Sequence, residues 1–241
     1  MKILQKLMAK NAALWDHPTV SIAFLGDSVT QGCFEIFQKE DGNMETMFRQ
    51  QENYGHALAK ILAMLYPMAP VQIINAGLSG DNAPHAVKRL ERDVLRFSPD
   101  LTVVCFGLND CMVGMDFLPR YVEALEQIFT TLKDAGSEVI FMTPNMMNTD
   151  VSCHLKEDWL RAYAEKTAQV QNSGTLDAFL AGAKDLCRKL DVPVCDCYAI
   201  WKKFAENGVC IADLLANKTN HPTAQMHWLF ATELAKTIFE N

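Results

Sequence analysis

Five short apolar runs punctuate the chain, at residues 20–25, 71–74, 101–106, 138–142 and 192–197, and the stretches between them carry apolar residues at helical spacing. Runs that are apolar at successive positions suit strands covered on both faces, so this alternation predicts a parallel sheet with helices on either side. Val87, Leu90, Val94 and Phe97 mark one covering helix, opened by Asp81, Asn82 and Pro84. Short polar side chains there satisfy first-turn N–H groups, and proline is preset for the first turn. Leu118, Tyr121, Val122, Leu125, Ile128, Phe129 and Leu132 form a second stripe that stops at Gly136. At the start, Leu4, Leu7, Met8, Leu14 and Trp15 recur around Lys10 and Asn11 and predict an amphipathic helix, not the unbroken apolar core of a targeting segment. Met226, Leu229, Phe230, Leu234 and Ile238 mark the last helix, with Pro222 in its first turn and His227 inside it as a surface or packing residue.

Length favours one domain over residues 1–241, and the alternation of five runs with helices on both faces makes it α/β, a three-layer α/β/α sandwich around a five-stranded parallel sheet. At 49% hydrophobic and 21% charged residues, the chain can bury a sizeable core and is neither disordered nor fibrous. Two stretches, 33–53 and 145–175, are too long for ordinary connections in such a fold. Both leave strand carboxyl ends, outside which the ligand crevice of an open α/β sheet lies. Their Phe34, Phe37, Phe48, His154 and Trp159 are therefore candidates for pocket walls or a lid, or else pack the inserts themselves.

A formal charge of −7, with no basic run longer than Lys202-Lys203, argues against nucleic acid or an anionic membrane as partner. Nor does any charge-free apolar run reach the roughly 20 residues that span a bilayer. The eight cysteines are scattered, with no C-x-x-C pair, and several lie in apolar runs. They read as reduced thiols of a cytoplasmic protein, with Cys195 and Cys197 on one strand face. The histidines lack metal-ligand spacing, and no cofactor or metal is expected.

The first apolar run passes straight into Gly26-Asp27-Ser28-Val29-Thr30-Gln31-Gly32, which sets a serine in a tight turn at the sheet's carboxyl edge. The segment is either a nucleophile turn or a structural Gly-rich turn, since it lacks the Gly-Lys-Ser/Thr of a phosphate loop and the spacing of a dinucleotide fingerprint. Two more polar turns end the second and third runs at the same edge: Ser79-Gly80-Asp81 and Gly107-Leu108-Asn109-Asp110. A glycine N–H and an asparagine amide there could donate to an oxyanion, although each alone could equally be a turn or a cap. Near the end, Asn220-His221-Pro222 precedes the last helix, and Pro222 holds His221 in extended backbone where it can face the strand edges.

These four blocks, in this order, resemble the SGNH/GDSL hydrolases, lipases and acylhydrolases, and the resemblance covers nearly the whole chain. It implies a flavodoxin-like fold and a serine esterase that cleaves a small acyl ester through an acyl-enzyme. Ser28 would be the nucleophile supported by Asp27, and His221 the base. The Ser28 N–H, Gly80 N–H and Asn109 side chain would form the oxyanion hole. Leu229-Phe230-Ala231 after the last block looks like the branch that acts on acylated carbohydrates, which suggests acetyl esters. A lysophospholipase, a thioesterase and a catalytically impaired carbohydrate- or acyl-binding relative are the alternatives. The family usually places an Asp three residues before the histidine, and here that position is Lys218. Asn217, a backbone carbonyl or the more distant Asp213 would then have to orient the ring.

Overall fold

A computed structural model describes residues 1–241, the side chain of Met44 excepted. Helix α1 (Lys2–Ala12) leads into strand β1 (Val20–Gly26), which turns at once into the short helix α2 (Ser28–Gln31). A hairpin of β2 (Cys33–Gln38) and β3 (Met44–Phe48) follows, then α3 (Tyr54–Leu65), β4 (Val71–Gly77), α4 (Ala83–Asp93) and β5 (Leu101–Cys105). The second half runs α5 (Leu108–Cys111), α6 (Leu118–Asp134), β6 (Glu138–Met142), α7 (Asp158–Asn172) and α8 (Thr175–Leu190). Strand β7 (Val194–Cys195), α9 (Cys197–Glu206) and α10 (Ala224–Glu240) complete it.

Strands β4, β1, β5, β6 and β7 form, in that order, one parallel sheet. Helices α3 and α10 pack together as one covering layer, and α4, α6 and α8 as the other. This is the helix-covered parallel sheet that the apolar runs predict and the flavodoxin-like sandwich that the family resemblance implies. Central β5 is buried at all of its positions, which is why residues 101–106 read as an unbroken apolar run. The chain's direction of winding reverses between β1 and β5, and Gly26 at the end of β1 pairs with Gly77 on one side and Cys105 on the other. Three turns are thereby brought to one point of the carboxyl edge, the switch point where such sheets bind ligands.

Several local expectations are corrected. The buried face of α1 is Ile3, Leu7 and Lys10, whereas Leu14 and Trp15 lie beyond the helix and Trp15 is 94% exposed. The Lys10 amine is tied to the carbonyls of Leu14 and His17, both at 2.5 Å, so a lysine fills a place that the apolar count had not assigned. Residues 192–197 are not one strand: β7 is two residues long, and Asp196 caps α9 by accepting from the Ala199 N–H. Cys195 and Cys197 are therefore not on one strand face, although their sulfurs lie 3.6 Å apart. Helix α4 stops at Asp93, and Phe97 sits in a following 3-10 turn, 46% exposed. Pro222 precedes α10 and pairs across a single bridge with Leu215 instead of opening the helix. His227 is fully buried, not a surface residue.

Neither long insert is a bare loop. Residues 33–53 build the β2–β3 hairpin, and 145–175 carry α7. Asn145 and Asn148 tie the second insert to the segment before α10. The Asn145 amide donates to Asn220 O, and Asn148 N–H donates to Thr219 O, each at 2.8 Å.

Candidate active site

Ser28 begins α2 directly after β1, and the close passage of α2 over β4 explains its position. A Cβ on Gly77 would lie 2.2 Å from the Gln31 nitrogen, so only glycine lets the turn settle there. Leu78 N–H donates to Gly26 O at 3.1 Å, and Ser79 N–H to the Gln31 Oε1 at 2.7 Å, which locks the second turn to the first. Asp27 caps α2 by accepting from the Val29 N–H at 2.9 Å. Burial, together with the nearby charges of Asp110 and Asp81, pushes the Asp27 carboxyl up to about 7.

The third turn is fastened by carboxylates. Asp110 accepts from the N–H groups of Ala83 and Gly107 at 2.9 and 3.1 Å, and burial raises its carboxyl to about 7. Asn109 donates one amide hydrogen to Asp81 O at 2.8 Å, leaving the other free. Gly80 sits at φ +77°, open to solvent, and its N–H and that of Ser28 have no partner among the described residues. Unpaired donors beside an amide are the parts from which an oxyanion site is made.

Arg89, which sequence reasoning missed, clamps these turns from below. Its Nε donates to Asp81 Oδ2 at 2.7 Å, its Nη1 to Ala76 O at 2.7 Å and its Nη2 to Gly26 O at 3.1 Å. The signal was faint: one arginine on a helix otherwise rich in exposed charge.

His221 reaches Ser28 from the opposite end of the chain. Its Nε2 lies 2.9 Å from Ser28 Oγ, and its Nδ1 lies 3.1 Å from Phe34 O. A carbonyl only accepts, so Nδ1 carries the proton and Nε2 offers its lone pair to the hydroxyl. Burial holds the imidazole down to about 4, partly offset by the Phe34 carbonyl, so the ring is neutral at pH 7. A neutral imidazole against a buried hydroxyl can take the proton as the oxygen attacks a carbonyl.

Neither Asn217 nor Asp213 orients the ring. Asn217 Oδ1 accepts from the backbone N–H groups of Thr219, Asn220 and His221 at 3.1, 3.0 and 2.9 Å, and its amide donates to Asn220 Oδ1 at 2.8 Å. It shapes the loop, as an asparagine in a turn commonly does. Asp213 is a surface group whose partner is Lys218, at 3.1 Å. Buried His227 packs against Phe34 and Tyr54, and its Nδ1 accepts from the Tyr54 N–H at 3.1 Å.

Beside the His221 loop, an open groove of ≈ 390 Å³ runs between β2 and the start of α7, lined by Glu35, Phe37, His154, Trp159, Asn217 and Lys218 among others. Phe37, His154 and Trp159 line this groove, whose lining does not include Ser28, Gly80, Asn109 or His221, whereas Phe34 is fully buried and Phe48 is not among the lining residues. Among the described residues, no group of three or more His, Cys, Asp or Glu is placed to hold a metal ion. No helix is long and apolar enough to cross a membrane.

A flavodoxin-like sheet with a serine–histidine pair and free N–H donors at its switch point has the layout of a serine hydrolase. The model of the GDSL-like lipase/acylhydrolase family matches residues 24–229, and the chain belongs to that family. An acetylxylan esterase from Geobacillus stearothermophilus is 25% identical over 132 residues, 51% of this chain and 58% of that protein. An arylesterase from Vibrio mimicus is 31% identical over 81 residues, 33% of this chain and 40% of that protein. The matches therefore span less than two thirds of either relative. Among solved structures, a two-domain esterase active on acetylated mannans has a TM-score of 0.68 at 19% identity, covering 99% of this chain and 52% of that one. The acetylxylan esterase of Geobacillus stearothermophilus has a TM-score of 0.66 at 20% identity, covering 91% and 94%. At such identities these structures share the fold.

Proposed function

We propose that this chain is a serine esterase that removes short acyl groups, acetyl foremost, from carbohydrate or related small substrates, with residues 1–241 acting as one catalytic unit. The observation that carries the reading is the 2.9 Å approach of Ser28 Oγ to His221 Nε2 at the switch point of the sheet. His221 removes the Ser28 proton as Oγ attacks the ester carbonyl, and the oxyanion is received by the N–H groups of Ser28 and Gly80 and the free amide hydrogen of Asn109. The protonated His221 then gives its proton to the sugar oxygen as its bond to the acyl carbon breaks, so that the sugar leaves as the alcohol and the acyl group stays on Ser28 Oγ. Water, deprotonated by His221, releases the acid and restores Ser28.

The carbohydrate preference draws on the relatives named for acetylxylan and acetylated mannans, and on a groove that offers the aromatic rings of Phe37 and Trp159 next to Glu35 and Lys218. p-Nitrophenyl acetate should be hydrolysed faster than the octanoate, and acetylated xylo- or manno-oligosaccharides should release acetate. A preference for long acyl chains, or for thioesters, would overturn the assignment to short acyl groups on carbohydrate.

Asn109→Ala should lower kcat by roughly 10²–10³ while KM changes little, because the amide meets negative charge that develops only in the transition state. Steady-state kinetics with p-nitrophenyl acetate reads both constants, and an unchanged kcat removes Asn109 from the oxyanion site.

A further inference from the structure

We propose that the orienting group for the base comes not from the segment before His221 but from the β2 hairpin, where the Phe34 carbonyl takes the Nδ1 proton and the Cys33 side chain holds the place a carboxylate would occupy. The inference rests on the esterase reading of the same site. Lys218, at the position where a carboxylate is expected, stands at φ +61° and pairs outward with Asp213, and Asn217 is fully engaged by loop backbone. Only two groups reach Nδ1 among the described residues: Phe34 O at 3.1 Å and Cys33 Sγ at 3.5 Å.

The hairpin is built for this. Its register shifts between Cys33 and Ile36, which leaves Phe34 and Glu35 outside the antiparallel ladder and frees the Phe34 carbonyl to face the ring. The carbonyl is also held firmly. The Phe34 ring is fully buried, with the Arg49 guanidinium 4.1 Å from its centroid and the His227 ring 5.1 Å away, and Arg49 N–H donates to Gly32 O at 2.8 Å. Cys33 is fully buried too, and burial pushes its thiol up to about 12, so it faces the imidazole as a neutral group.

A neutral acceptor fixes the tautomer but gives the imidazolium no opposite charge. The groups that face or lie near the ring are Ser28 from α2, Cys33 and Phe34 O from β2 and the buried His227 from α10, with Glu35, Asp27 and Arg49 just beyond, Glu35 being paired with Arg49. A carboxylate grafted at position 33 would supply that charge from a different strand. Cys33→Asp should raise kcat/KM about ten-fold or more and move the acidic limb of its pH profile up by about one unit or more, because an adjacent anion favours the imidazolium. Cys33→Ser should leave the limb where it is in the parent. Lys218→Asp should leave the limb where it is in the parent, since the Lys218 side chain pairs outward with Asp213.

A limb that moves in Lys218→Asp and not in a folded Cys33→Asp overturns the proposal. Should Cys33→Asp fail to fold, the parent protein still decides. With ¹⁵N-labelled histidine and ¹³C-carbonyl phenylalanine, His221 should show an Nδ1-protonated ring with a scalar coupling across the hydrogen bond to the Phe34 carbonyl. An Nε2-protonated ring, or no such coupling, also overturns it. If the coupling is present while the parent cleaves no ester, the esterase reading falls and the placement of the ring stands.

Discussion

Ser28→Ala is expected to lower kcat on acetate esters by about 10⁴–10⁶, His221→Ala by a similar factor, and the double variant by no more than either alone. The reason is that the two side chains act as one unit. Without the hydroxyl, the imidazole has nothing to deprotonate, and without the imidazole the hydroxyl is a very weak nucleophile at neutral pH. What should remain in each variant is the contribution of the proposed oxyanion donors, the N–H groups of Ser28 and Gly80 and the Asn109 amide, which need neither partner. Ser28→Ala removes one hydroxyl from a turn that is held by other bonds, namely the Asp27 cap and the contacts of Leu78 and Ser79, so its thermal melt should match the parent. Losses that multiply in the double variant would mean that Ser28 and His221 act separately, and the dyad would have to be abandoned. Circular dichroism melts and single-turnover kinetics on the three variants supply the comparison.

Arg89→Ala should destabilise the fold by about 3–5 kcal/mol, the range found when one partner of a buried ion pair is removed. The Asp81 side chain is fully buried and that of Arg89 is 5% exposed. Truncating the arginine therefore leaves a carboxylate in the interior with only His85, itself half-exposed, as a side-chain partner. The Ala76 carbonyl loses the Arg89 donor at the same time, and the Gly26 carbonyl keeps only the Leu78 N–H. Arg89→Lys should recover only part of the loss, because an ammonium cannot reproduce a planar fork directed at a carboxylate and two carbonyls. The effect should also reach catalysis. Asp81 O holds the Asn109 amide, and Gly26 O anchors the turn that carries Gly80, so kcat should fall while the fold survives. Urea unfolding at pH 7 measures the stability, and the expected fall in Tm is on the order of 10 °C for a chain of this size. A change below ~1 kcal/mol would show that Arg89 is a bystander to the two turns it bonds.

Much of the architecture was legible in the chain because its signals are local. An unbroken apolar run such as 101–106 suits a strand covered on both faces, and a stripe such as Leu118 to Leu132 closed by glycine suits a helix. Each message is complete within a dozen residues, and both elements are found in the fold. The same locality made the four polar turns visible, because Gly26-Asp27-Ser28, Ser79-Gly80-Asp81, Gly107-Leu108-Asn109-Asp110 and Asn220-His221-Pro222 each combine a short apolar or helical boundary with side chains that carry chemistry. Local periodicity failed where a hydrogen bond to a nearby backbone group decided the outcome instead of the apolar pattern. The amine of Lys10 is buried because carbonyls converge on it, and residues 192–197 break into a strand and a capped helix because Asp196 finds the Ala199 N–H.

The partner of His221 was beyond the reach of sequence for a deeper reason. A missing Asp at 218 is visible, but what replaces it is a backbone carbonyl, a group every residue possesses and none advertises. Phe34 O is selected because a register shift in the hairpin turns it inward, and it lies 187 residues from the ring it meets. Arg89 is alike, since a helical arginine is ordinary until two turn segments close around it. The chain by itself thus determined which strands and helices form and which side chains stand at their ends, through periodicity and capping over a few residues. Tertiary structure alone decided which of those ends meet and which backbone atom faces the imidazole, because contacts across nearly two hundred residues are set by the packing of whole layers and leave no mark in any short stretch of sequence.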